Sequence, residues 1–264
     1  MFWNSGIQNS GIAYWNTASL ENARFMFAES RLRPDVDLSK WNTQHCRDMS
    51  SMFRKTAVVD SGIGHWNTAS LEDANHMFAE SGLRPDVDLS KWNTQHCRDM
   101  SAMFYKTAIV DSGIGHWNVA SLQDASLMFA HSAIGPKVDL SKWNTKNCRD
   151  MSAMFESTAI VDSGIGRWDV SSVVLMFNML KGTSFSGNLD KWSAKQRLDA
   201  LNGVLPSVGT RRTASWPTRF GKAEPLDGPF DPRSFFADLV RAKSVPREES
   251  AEGEERSSDA CTLM

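Results

Sequence analysis

The sequence predicts an α/β solenoid in which each coil of 25 or 26 residues contributes one short parallel strand and one short helix. Three observations carry that expectation. Tryptophan recurs at 15, 41, 66, 92, 117, 143, 168 and 192, in alternating steps of 26 and 25 that close with one of 24. A Met-Phe pair keeps the same beat at Met26, Met52, Met77, Met103, Met128 and Met154, with a shortened last step to Met176. Aliphatic residues hold the third position before Trp at Leu38, Ile63, Leu89, Ile114, Leu140 and Ile165. A fixed period of this length marks an architecture whose units cannot bury their apolar faces alone and must stack.

Positions are given below relative to the Trp of their own coil. The aliphatic residue at Trp−3, inside "VDLSKW" or "SGIGHW", predicts a short strand with one inward side chain, stacked in parallel at roughly 4.8 Å per coil. Asn42 and Thr43, just after Trp41, are natural N-cap residues for a helix that follows. Cys46, Met49, Met52 and Phe53 are spaced i, i+3, i+6 and i+7, which places them on one face of that helix. In the preceding coil the same columns hold Leu20, Ala23, Met26 and Phe27. Bulk moves between neighbouring columns while the layer keeps its volume, so the unit is a pair of unlike coils, 51 residues long.

The solenoid is expected over residues 1–192, as about seven coils of leucine-rich-repeat-like form. Met1 and Phe2 fall in the Met-Phe column of a coil whose first half is missing, which predicts an N-terminally truncated solenoid with any secretory leader upstream. A capping helix is expected over 193–203, opened by a Ser193/Gln196 capping box and stopped at Asn202-Gly203, with Leu198 and Leu201 closing the last layer. The tail, 204–264, reads as mostly disordered, with one helix over 232–243.

The pattern W-N-T-x-x-C-R-D-M-S-x-M-F at 41–53, 92–104 and 143–155 resembles the repeat of BspA-like surface proteins. That resemblance implies a solenoid used for adhesion or protein binding, and it carries over no catalytic residue. The "VDSG" that suggests a subtilisin-type aspartate occurs at Asp60, Asp111 and Asp162, so it marks register. No histidine segment accompanies it to activate a serine, and no enzyme is expected.

Composition sets the remaining bounds. With 29 basic and 31 acidic side chains, a net charge of −2 gives no reason to expect nucleic acid as a partner. Cys46, Cys97 and Cys148 share a column two coils apart, roughly 10 Å, beyond disulfide reach, and no pattern calls for a metal or a cofactor. Opposite charges face each other at Trp+6 through Glu21, Arg47, Glu72, Arg98, Gln123 and Arg149.

Two candidate ligand surfaces follow. The row at Trp−1, Lys40, His65, Lys91, His116, Lys142 and Arg167, would present cations to a protein or glycan ligand. The column at Trp−6, Asp35, Asp60, Asp86, Asp111 and Asp162, would be solvated or hold a cation. The terminal "CTLM" fits a prenylation box at Cys261, which predicts a membrane-anchored alternative for a cytosolic chain. The sequence does not decide between a surface and a cytosolic location.

Overall fold

The inter-coil contact runs through the backbone segment that follows Trp. In this computed structural model, which describes residues 3–5, 11–33, 36–57 and 61–202, parallel single-residue bridges join Asn22, Asp48, Asp73, Asp99, Asp124, Asp150 and Leu175 in succession. All are at Trp+7. From there the N–H groups alternate in destination. Those at Trp+8, +10, +12 and +14 donate forward to the next coil: Ala74 to Asp99, His76 to Ser101, Phe78 to Met103 and Glu80 to Tyr105, at 2.8–3.0 Å. Those at Trp+11, +13 and +15 donate back three residues, Met77 to Ala74, Ala79 to His76 and Ser81 to Phe78, and the one at Trp+9, Asn75, donates to the Asp73 side chain.

The predicted helix is therefore a chain of overlapping β-turns. A helix would spend every N–H inside its own turn, whereas here half of them build the stack. The spacing of three from Met49 to Met52 is the span of a single turn, closed by the Met52 N–H on the Met49 carbonyl, and successive turns advance by two residues. The geometry requires left-handed backbone at Trp+10 and Trp+14, as at His76 (φ 53°) and Glu80 (φ 56°) in one coil and Ala102 (φ 51°) and Lys106 (φ 53°) in the next. Each such residue costs about 1–2 kcal/mol relative to right-handed backbone. Four forward hydrogen bonds per coil offset that.

The predicted strand is also displaced. Ile63–His65, Ile114–His116 and Ile165–Arg167 are single 3-10 turns opened by left-handed glycines, Gly62, Gly113 and Gly164. Trp−3 is inward-facing as expected, with Ile63, Leu89 and Ile114 fully buried, but on a turn. Asn42 and Thr43 cap no helix. Asn42 Oδ1 accepts the Gln44 N–H, and the buried Thr43 hydroxyl reaches forward to the Asn67 carbonyl at 2.9 Å.

The Trp column is held by chemistry as well as by shape. Six consecutive indole N–H groups donate to the Trp−3 carbonyl of the coil before: Trp41 to Ile12, Trp66 to Leu38, Trp92 to Ile63, Trp117 to Leu89, Trp143 to Ile114 and Trp168 to Leu140, at 2.8–3.0 Å, whereas the buried Trp192 Nε1 meets no acceptor among the described residues. In each of the six bonds a buried donor and a buried acceptor are satisfied together. Beside this column the phenylalanines stack from Phe27 through Phe155 at centroid spacings of 5.5–5.9 Å.

The last coil keeps full register, contrary to the shortened step expected there. Phe155 N–H donates to Met179, as Phe129 does to Met154, so Met179 and the buried Leu180 occupy the Met-Phe positions and Met176 sits one turn earlier. At the other end the half-buried Trp15, Leu20 and Met26 border a cavity of about 450 Å³.

Helix α1, Ala194–Asn202, follows Trp192. Ser193 N–H donates to Gln196 Oε1 and Gln196 N–H donates to Ser193 Oγ, at 2.9 and 3.2 Å, a reciprocal capping box. Leu198 and Leu201 do not close the last layer, for they are 46% and 43% exposed while Ala200 is fully buried. The cause lies in the backbone: Asn178 N–H donates to the Asp199 carbonyl and Leu180 N–H to Ala200. That pairing of backbones buries the Ala200 methyl group against the last coil. Gly203, the 232–243 segment and Cys261 lie outside the described residues.

Candidate functional site

The residue before each Trp is turned outward because Trp itself turns inward. Trp66 leaves its 3-10 turn in extended conformation (φ −67°, ψ 140°), and Trp117 and Trp168 do the same. Lys40, His65, Lys91, His116, Lys142 and Arg167 are all exposed, one per coil. Acidic groups that the sequence reading did not single out stand beside them. Asp37, Asp88 and Asp139, also exposed, each accept the N–H of the serine two residues on, at 2.9 Å.

The electrostatics of that surface follow. The Ser39 hydroxyl, then its N–H and the neighbouring Lys40 and His65 charges, hold the Asp37 carboxyl below its ordinary range. Asp88 is lowered in the same way by Ser90, Lys91 and His65, and Asp139 by Ser141, Lys142 and Arg167. The surface is a strip of cations with a carboxylate set in every second coil.

The column at Trp−6 does not gather into a site. Asp35 and Asp60 lie outside the described residues. Asp86 is taken up by Arg84, whose guanidinium meets both carboxylate oxygens at 2.8 and 2.9 Å. Asp111 and Asp162 are exposed. Among the described residues no three His, Cys, Asp or Glu side chains are placed to hold a metal ion.

A second acidic row lies at Trp+7, on the bridge ladder itself: Asp48, Asp73, Asp99, Asp124 and Asp150. Each Oδ1 accepts the N–H of the residue two further on, Ser50, Asn75, Ser101, Ser126 and Ser152, at 2.8–2.9 Å. That turn bends the chain just after the bridge, a role that a short oxygen-bearing side chain suits. The cost is electrostatic. Burial, with the Asp99 and Asp150 charges, raises the Asp124 carboxyl to about 6, and burial likewise raises Asp73. The "C-R-D-M" motif contains this aspartate, but only the bridge register shows that the carboxylates stack.

The cysteines are the reverse of reactive. Cys46, Cys97 and Cys148 are buried free thiols, and burial pushes Cys46 up to about 11 and Cys148 to about 12.

Compared with known families, four overlapping stretches of the chain, residues 1–83, 32–134, 59–159 and 114–203, match the family described as "Mycoplasma protein of unknown function, DUF285". No curated protein and no solved structure matches.

Proposed function

We propose that this chain, which belongs to the DUF285 repeat family, is a non-catalytic binding scaffold whose Trp−1 strip engages a protein or glycan ligand. The observation that carries the reading is the repetition of one exposed basic side chain per coil, from Lys40 to Arg167, on a backbone held by inter-coil hydrogen bonds. A preorganised row of charges loses little entropy on binding, and its period suits a ligand with regularly spaced groups. The carboxylates of Asp37, Asp88 and Asp139 suit a ligand bearing both donors and anions. The resemblance of the W-N-T-x-x-C-R-D-M repeat to BspA-like proteins supports a surface-displayed, adhesin-like setting.

The test is a protein and glycan array probed with the purified chain and with a variant carrying Lys40→Glu, Lys91→Glu, Lys142→Glu and Arg167→Glu. Ligands lost in the variant support the reading. An array on which the two chains bind alike, or on which neither binds, counts against it.

A further inference from the structure

Trp+4 is the second central residue of a β-turn, closed in one coil by the Leu122 N–H on the Val119 carbonyl at 3.0 Å, and its side chain lines the same outer surface as that at Trp+6, as Ser121 and Asn147 do with Gln123 and Arg149. The charges at Trp+6 alternate through Glu21, Arg47, Glu72 and Arg98, and then Gln123 stands where a glutamate would fall, followed by Arg149. Arg47 and Glu72 are paired at 3.3 Å. Arg98 and Arg149 are exposed, and neither has a carboxylate within 4.0 Å among the described residues.

Between these arginines lies a polar pocket of about 310 Å³, lined by Arg98, Ser121, Gln123, Asn147, Arg149 and Ser172. Its donors outnumber its acceptors. The Asn147 amide is fixed by a bond to the Ala120 carbonyl at 2.7 Å. Ser70, the counterpart of Ser121, donates to Gln44 at 2.6 Å, whereas Ser121 and Ser172 make no side-chain bond to a described residue. The neighbouring acids are Glu72, in the coil before Arg98 and paired with Arg47, and Asp99, Asp124 and Asp150, one residue on from Arg98, Gln123 and Arg149. The aspartate side chains start from the other side of the strand, with Oδ1 bound to Ser101, Ser126 and Ser152.

We propose that this pocket binds a tetrahedral oxyanion, the phosphate or sulfate group of a monoester ligand. Two guanidinium groups whose backbones are two coils apart, roughly 10 Å, reach toward Gln123 from opposite sides. A tetrahedral anion has oxygens for both, while a carboxylate offers one edge. Gln123 removes the charge that would otherwise neutralise the pair, and its amide adds a donor. The site is separate from the Trp−1 strip and does not depend on it.

The full chain is titrated calorimetrically with glucose 6-phosphate, glucose 6-sulfate and glucose. Saturable binding of at least one ester and none of glucose is expected, and the ester that binds identifies the group. Gln123→Glu restores the alternation already present at Glu21 and Glu72, so it should fold and weaken ester binding at least about tenfold by placing a carboxylate in the pocket. Arg98→Gln should weaken it as well, and Lys91→Gln with Lys142→Gln should not. The proposal is overturned if neither ester binds, if Gln123→Glu binds like the parent chain, or if the lysine pair abolishes binding.

Discussion

Replacing Asp124 by Asn should stabilise the protein at neutral pH and leave it unchanged in acid. The Asp124 carboxyl ionises at about 6 in the folded chain against an ordinary 3.8. At 1.36 kcal/mol per pH unit of displacement, its charge costs the fold about 3 kcal/mol at pH 7. The folded chain holds this proton where the unfolded chain has lost it. Stability from this group is therefore fully present below about pH 4 and falls as pH rises to about 6. Asparagine keeps the Oδ1 that accepts the Ser126 N–H and hydroxyl at 2.9 and 2.6 Å, and Asn22 already does this at the head of the ladder, accepting the Arg24 N–H at 2.9 Å. Urea denaturation followed by Trp fluorescence from pH 4 to pH 8 reads the difference. The parent and Asp124→Asn curves should meet near pH 4 and separate to about 3 kcal/mol by pH 7. A variant less stable at pH 7, or a gap that stays constant down to pH 4, would refute the reasoning.

Three further outcomes are expected. Gly115→Ala should lose about 1–3 kcal/mol of stability in thermal or urea melts, since a Cβ there would stand 2.3 Å from the Asp139 carbonyl of the next coil; unchanged stability would contradict that packing. Ser157→Gly should be neutral or gain up to about 1 kcal/mol, because Ser157 is left-handed (φ 56°) and Gly182 holds the same column of the next coil; Ser157→Val should lose stability, and a reversed order would argue against the turn assignment. In a Cys261→Ser background, a thiol reagent at pH 8 should leave Cys46, Cys97 and Cys148 unmodified until urea unfolds the chain, because burial holds these thiols in the protonated form. Rapid modification of the native protein would show that the core column is open.

The stack was legible because aromatic side chains occupy single columns and betray their period without reference to backbone. Secondary structure was less so. The Cys46, Met49, Met52, Phe53 spacing fits a helix face and a chain of β-turns equally well, and what separates them is where the alternate N–H groups go, which side-chain pattern does not encode. A left-handed residue usually announces itself as Gly or Asn, but here the positions are filled by His76, Ala102 and Leu127, because the stacking ladder outweighs local preference. The Trp−1 row could be found from columns alone. The aspartates at Trp+7 could not be recognised as neighbours before the bridge register was known. Gln123 looked like one more member of an ion-pair column until the pocket showed what its missing charge leaves behind.

The forward donation of every second N–H has an electrical consequence. Peptide dipoles at four positions per coil point forward along the stack, against one or two at Trp+6 and Trp+7 whose N–H groups donate to the coil before, so the solenoid carries a net macrodipole, partially positive at its C-terminal face and partially negative at its N-terminal one, by the same summation that polarises an α-helix. Helix α1 meets the positive face with the carbonyls of Asp199 and Ala200, its own negative pole. A helix arriving by its N-terminus would set N–H against N–H. The two ends of such a solenoid are thus of opposite sign, and a cap that fits one cannot be moved to the other.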